Sequence, residues 1–183
     1  MKYFFASDIH GSASACEAVL TRYAAESADR LILLGDLLYH GPRNELPERY
    51  NPKAVIALLN GLPDFPLCVR GNCDAEVDQM VLDFPIMADY CLLPLVGNIC
   101  AFVTHGHLFN VENPPPHKPG DILLHGHTHV HCIQAQGDYL YINPGSAALP
   151  KENQTKSYMV YENGLFSIRD FNGNTLLEHC IGG

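Results

Sequence analysis

Asp8 and His10 follow the apolar run "KYFFAS" as "DIHG", and Asp36 follows "RLILLG". Asn72, Cys73 and Asp74 follow "PLCVRG". Farther along, His105 closes "ICAFVT", and His127 and His129 stand in "LLHGHTH". Carboxylates, imidazoles and an amide oxygen, with no C-x-x-C pair near them, are not the ligands of a structural zinc of the finger type. They suit divalent cations of intermediate hardness, Mn²⁺, Fe or Zn²⁺, and suit oxygen-rich Mg²⁺ or Ca²⁺ cages less well. The donors outnumber what one ion takes, so the set reads as two ions sharing Asp36. His127 and His129 are alternate residues, and on an extended segment alternate side chains point the same way.

Residues this far apart meet only if the segments before them are strands that end on one side of a sheet. In open α/β sheets the loops at the carboxyl ends of the strands gather into a common crevice. The first half alternates as that requires. "KYFFAS" reads as a strand, and "SASACEAVLTRYAAES" has Cys16, Val19, Leu20 and Tyr23 at helical spacing. "RLILLGD" is a buried strand, Asn51-Pro52 caps the helix "KAVIALLN", and "PLCVRGN" is the next strand. This βαβαβ order implies a parallel sheet covered by helices. The second half is strand-rich, with turns at Gly97-Asn98, Gly137-Asp138, Asn163-Gly164 and 172–174. Two long Pro-rich loops, "LLYHGPRNELPERY" and "FNVENPPPHKPG", adjoin the chemically loaded segments. Nothing splits the chain, so one domain over residues 1–183 is expected.

A formal charge of −9, from 20 acidic and 11 basic residues, repels long polyanions and argues against a nucleic-acid polymer as partner. A small anion held by metal remains compatible with it. No apolar stretch approaches the roughly 18 residues of a membrane span, and the N-terminus lacks the features of a signal peptide. The seven cysteines form no C-x-x-C and read as free thiols of a reducing compartment. A cytoplasmic location is expected on these grounds. Strand faces that could join copies into a dimer or tetramer are not separable from the core by pattern.

The succession D-x-H, G-D, G-N-x-D, H-G and G-H-x-H, followed by "NPGS" at 143–146, resembles the calcineurin-like metallophosphoesterases. The resemblance implies an α/β fold, a four-layer αββα sandwich of two mixed sheets flanked by helices. It implies one metal on Asp8, His10 and His129, and a second on Asn72, His105 and His127, with Asp36 between them. Mn²⁺ is the first expectation for both, with Zn²⁺, Fe and Ni²⁺ as alternatives. It also implies an enzyme that cleaves small phosphodiesters by attack of a metal-bridging hydroxide, with Asn72, Cys73, Asp74 and His105 as the catalytic candidates. Many relatives carry His directly after the Asn, and Cys73 stands there instead. A neutral thiol is a poor donor without positive charge, so good leaving groups are expected to be favoured. Asp74 is expected to orient this corner through hydrogen bonds rather than to bind metal. Arg43, His107 and Cys73 are candidate substrate contacts, and His40, like His107, is a candidate to line the pocket. The competing readings are a non-catalytic scaffold of the same fold and a phosphomonoesterase. The intact donor set argues against the first, and the missing His and short chain argue against the second.

Overall fold

The computed structural model describes residues 1–182. Strand β1 (Lys2–Ala6) leads into helix α1 (Ala13–Glu26), which starts where the Ser12 hydroxyl accepts the Ala15 amide at 3.2 Å. After β2 (Arg30–Leu33) a long loop reaches α2 (Pro52–Asn60), which opens with an Asn51 cap and Pro in the first turn. Next come β3 (Leu67–Cys68), the single-turn α3 (Glu76–Gln79), and the antiparallel pair β4 (Tyr90–Pro94) and β5 (Cys100–Thr104). Then β6 (Ile122–Leu124), β7 (Cys132–Gln136), β8 (Tyr139–Asn143), β9 (Ser157–Glu162), β10 (Leu165–Asp170) and β11 (Thr175–Cys180) follow. The β9–β10 turn has Asn163 and Gly164 both at positive φ, the pair that a tight hairpin demands.

The strands form two mixed sheets. One has six strands in the order β11-β10-β9-β1-β2-β3, and the other has five in the order β4-β5-β6-β8-β7. Strands β1, β2 and β3 run parallel, as do β5, β6 and β8. Alternation sorts the side chains. Phe5, Ile32, Leu34, Val103, Leu124, Ile142 and Met159 fill the space between the sheets. Phe4, Ala6, Leu31 and Leu33, on the opposite face of the first sheet, pack on Cys16 and Val19 of α1 and on Val55 and Leu59 of α2. The outer face of the second sheet is closed by loop side chains, with Phe109 and Val111 on Phe102, Leu123 and Tyr141. These are the two mixed sheets of the expected fold, with α1 and α2 on one side and loop on the other.

The third strand is much shorter than "PLCVRGN" suggests. At the sheet edge its pairing shrinks to two residues, and beyond them the chain stays held by Val69 N–H to Leu33 O at 3.0 Å and Arg70 N–H to Ala88 O at 2.7 Å. The carboxyl ends of β1, β2 and β3 carry Asp8, His10, Asp36 and Asn72. Those of β5 and β6 carry His105, His127 and His129. The cleft at this end therefore draws on both sheets.

Candidate metal centre

All seven expected ligands meet here. Asp8 Oδ1 lies 3.2 Å from His129 Nε2 and 3.6 Å from His10 Nε2, and the two imidazole nitrogens are 3.2 Å apart. Asp36 Oδ2 stands between two groups of donors, 3.6 Å from His10 Nε2 and 3.5 Å from His105 Nε2. On the far side, His105 Nε2 lies 3.1 Å from Asn72 Oδ1 and 3.2 Å from His127 Nδ1. Asp8, His10 and His129 are close enough together to share an ion, as are Asp8, Asp36 and His105.

The hydrogen bonds at the back of the rings decide which atoms face the centre. His10 Nδ1 meets Tyr39 O at 2.8 Å, His105 Nδ1 meets Leu34 O at 2.6 Å, and His129 Nδ1 meets Leu149 O at 2.6 Å. A carbonyl only accepts, so each Nδ1 carries the proton, and each neutral ring turns a lone pair on Nε2 inward. Lone pair then faces lone pair between His10 and His129, and faces the Asn72 amide oxygen at His105. Asp8 Oδ1 is buried among them without a hydrogen-bond partner. Such a group of acceptors is costly without a cation and stable around one. The residues present fit a pair of divalent ions.

Electrostatics point the same way. Burial works to raise the Asp8 carboxyl, but His10 and His129 outweigh it and hold it well below the usual range. Asp36 is likewise lowered, chiefly by His105, against its burial. Burial works to lower His105, but Asp36 and Asp8 override it and bring it to about 9. His127 is pushed down to about 4 by burial and by the charge on His105. A cation bound here would take the place of the proton that the carboxylates otherwise draw onto His105.

The backbone carries a signal that residue types alone do not. Asp8, His10, Asp36, His127 and His129 all have positive φ, between 48° and 65°. Left-handed backbone is uncommon for residues other than Gly, and Asp and His are among those that tolerate it best. Strain of this kind gathers where the surrounding structure enforces it for function. It corrects one expectation: His127 and His129 do not converge as alternate residues of an extended strand. Residues 125–130 form a loop, and successive left-handed turns bring His127 in through Nδ1 and His129 through Nε2.

The supports are built into the same loops. Buried Asp74 does not face the centre. Its Oδ2 accepts the Asp36 and Gly71 amides at 2.8 and 2.7 Å, and its Oδ1 accepts the Leu37 amide at 2.9 Å. Gly71 is required because a Cβ there would overlap the Asp36 carboxylate. In "NPGS", the Asn143 amide donates to Gly126 O at 2.8 Å, and the Ser146 hydroxyl donates to Asp8 O at 3.0 Å.

The Cys73 amide donates to Asp36 Oδ1 at 2.8 Å, and its half-buried thiol receives the Asn72 amide at 3.2 Å. Burial and the nearby carboxylates push that thiol up to about 12. Arg43 lines the open cleft over the centre together with Cys73. His107 sits behind it, its ring 5.5 Å from that of His105. His40 packs edge-on against Tyr39 and Tyr50 and is not part of the cleft wall. Lys151, Asn44 and Thr128 also line the cleft. Sequence reading passes over them, since a lone Lys after Pro150 has no pattern. Only its place a few residues beyond "NPGS" hints at it.

Two mixed sheets delivering this donor set from parallel strand ends define a metallophosphoesterase, and residues 1–163 match the calcineurin-like phosphoesterase superfamily domain. The chain belongs to that superfamily and is a metal-dependent phosphoesterase. Phosphodiesterase YfcE of Escherichia coli strain K12 is 45% identical over 177 residues, covering 97% of this chain and 96% of YfcE. The solved structure of the E. coli YfcE phosphoesterase matches with a TM-score of 0.95 at 43% identity, covering 100% of both chains. The probable metallophosphoesterase YsnB of Bacillus subtilis strain 168 is 29% identical, covering 92% of this chain and 89% of YsnB.

Proposed function

We propose that this centre hydrolyses small phosphodiesters with two divalent cations, Mn²⁺ foremost. Asp8, His10 and His129 would hold one, Asn72, His105 and His127 the other, and Asp36 both. The observation that carries this reading is the inward facing of Nε2 lone pairs around the unpartnered Asp8 Oδ1. Bound, such a pair supplies positive charge for the phosphoryl oxygens and brings water to a nucleophilic state near neutral pH.

The chain's own residues set the rest. The Asn72 side-chain N–H on Cys73 Sγ turns the amide oxygen toward His105. The Cys73 thiol stays protonated and uncharged, so a departing oxygen receives little help from it. That favours diesters with stable leaving groups over alkyl monoesters, whose departing oxygen needs a proton that the Cys73 thiol gives poorly. Strong similarity to a phosphodiesterase along nearly the whole chain supports the same reading.

The test is hydrolysis of bis-p-nitrophenyl phosphate with added Mn²⁺, alongside anomalous scattering from Mn²⁺-soaked crystals. Turnover abolished by chelator, with two scattering peaks flanking Asp36, is expected. No turnover with any divalent ion, or donors that stay unliganded, would refute the proposal.

A further inference from the structure

We infer that the cleft beside the metal centre selects a phosphodiester with a second anionic group, phosphoryl or carboxylate, at the end of one arm. This rests on the phosphodiesterase reading above. The cleft has a volume of about 430 Å³ and is walled by Asp36, Asn72, Cys73 and His129 toward the metals and by Arg43 and Lys151 elsewhere. Among the described residues Asp36 is its one carboxylate, and the metals proposed above would occupy it.

The loops that carry the two cations are tied. Arg43 lies on the β2–α2 loop, which is tied by the Asn44 amide to Gly41 O at 3.2 Å and by the Asn44 side chain to His40 O at 2.8 Å. Lys151 lies on the β8–β9 loop, where its amide donates to His129 O at 3.1 Å. Each loop also supplies the carbonyl that orients a ligand: Tyr39 O for His10 and Leu149 O for His129. The same turns of chain thus carry a cation and orient a metal donor.

They are also unspent. Elsewhere several basic side chains meet acids, Arg22 and Arg169 on Glu26, Arg49 on Glu17 and Lys156 on Glu48, and Arg30 and Arg70 donate to main-chain carbonyls. Arg43 and Lys151 have no side-chain hydrogen bond or ion pair among the described residues. In a chain of charge −9, these two cations share one cleft whose single carboxylate is Asp36. The scissile group does not need them. A diester carries a single negative charge, which two divalent ions on two carboxylates and a hydroxide already match. A second anion on the substrate matches the surplus, with Arg43 able to grip it through paired N–H donors.

The experiment compares equilibrium binding of propyl phosphonate, phosphonopropionate and trimethylene diphosphonate to the Mn²⁺-loaded protein by calorimetry. At least one two-headed ligand is expected to bind about tenfold tighter than propyl phosphonate. Whichever of the two it is distinguishes carboxylate from phosphoryl. The margin should shrink with added salt and collapse in Arg43→Gln/Lys151→Gln. Equal affinities in the native protein, or an undiminished margin in the double variant, overturn the inference. The native comparison stands even if the variant does not fold. Turnover of bis-p-nitrophenyl phosphate by the same preparation judges the underlying reading separately. Equal affinities with turnover reject the second-anion site alone, and a tenfold margin without turnover rejects only the hydrolytic assignment.

Discussion

Asp74 touches none of the donor atoms facing the centre, yet it holds the amides of Asp36, Leu37 and Gly71 on one carboxylate. Those bonds keep Asp36 at φ 55°. Asp74→Asn presents an N–H to donors that need an acceptor. The expected result is metal affinity about 10- to 100-fold weaker with far-ultraviolet circular dichroism unchanged, read by Mn²⁺ titration. Full affinity in the variant would remove the positioning role. The donors themselves were legible in the sequence because chemistry limits them to a few residue types, each placed after an apolar run. Lys151 and Asn44 were not, since a cleft wall is made by loop paths that leave no spacing behind. The partners of the imidazole Nδ1 atoms were invisible for a related reason: they are main-chain carbonyls, and any residue can supply one.

Among the elements, α1 is fastened to the first sheet through one buried carboxylate. Glu26 accepts the Tyr158 hydroxyl at 2.7 Å, Arg22 at 3.0 Å, Arg169 at 3.0 Å and Lys2 at 3.4 Å. Burial works to raise it, but Tyr158 and the arginines prevail and bring it to about 2, against an ordinary 4.5. A depressed carboxyl stabilises the fold above its unfolded pKa and ceases to as pH falls through its folded one. The advantage of the native chain over Glu26→Gln in urea unfolding should therefore be full above about pH 5 and gone near pH 2. A constant difference across that range would exclude the linkage. The elements read well from the sequence wherever a cap or turn residue marked them, as at Asn51-Pro52, Gly97-Asn98 and Asn163-Gly164. The third strand read poorly, because an edge position shortens pairing without changing the apolar run. Residues 125–130 read poorly too, because left-handed His leaves no pattern of its own.

For the molecule as a whole, two sheets share one core, and the donors come from both. A ligand that binds only the assembled state adds stability in proportion to its concentration over Kd, about 2.7 kcal/mol at 100-fold excess. Melting should therefore rise by roughly 5–10 °C on going from chelator to saturating Mn²⁺, with little change for a variant lacking Asp36. An unaltered Tm would mean that the ions do not bridge the halves. Among the described residues, no helix is long and apolar enough to cross a membrane. Five of the seven donors sit in a backbone shape that an L-residue abandons at a gain of about 1–2 kcal/mol each once its neighbours let go. Ions held by these donors would act as a latch that cannot close on one half alone. A brief parting of the two layers, far short of unfolding, would spring that latch, and metal leakage is then the expected first sign that the protein has begun to come apart.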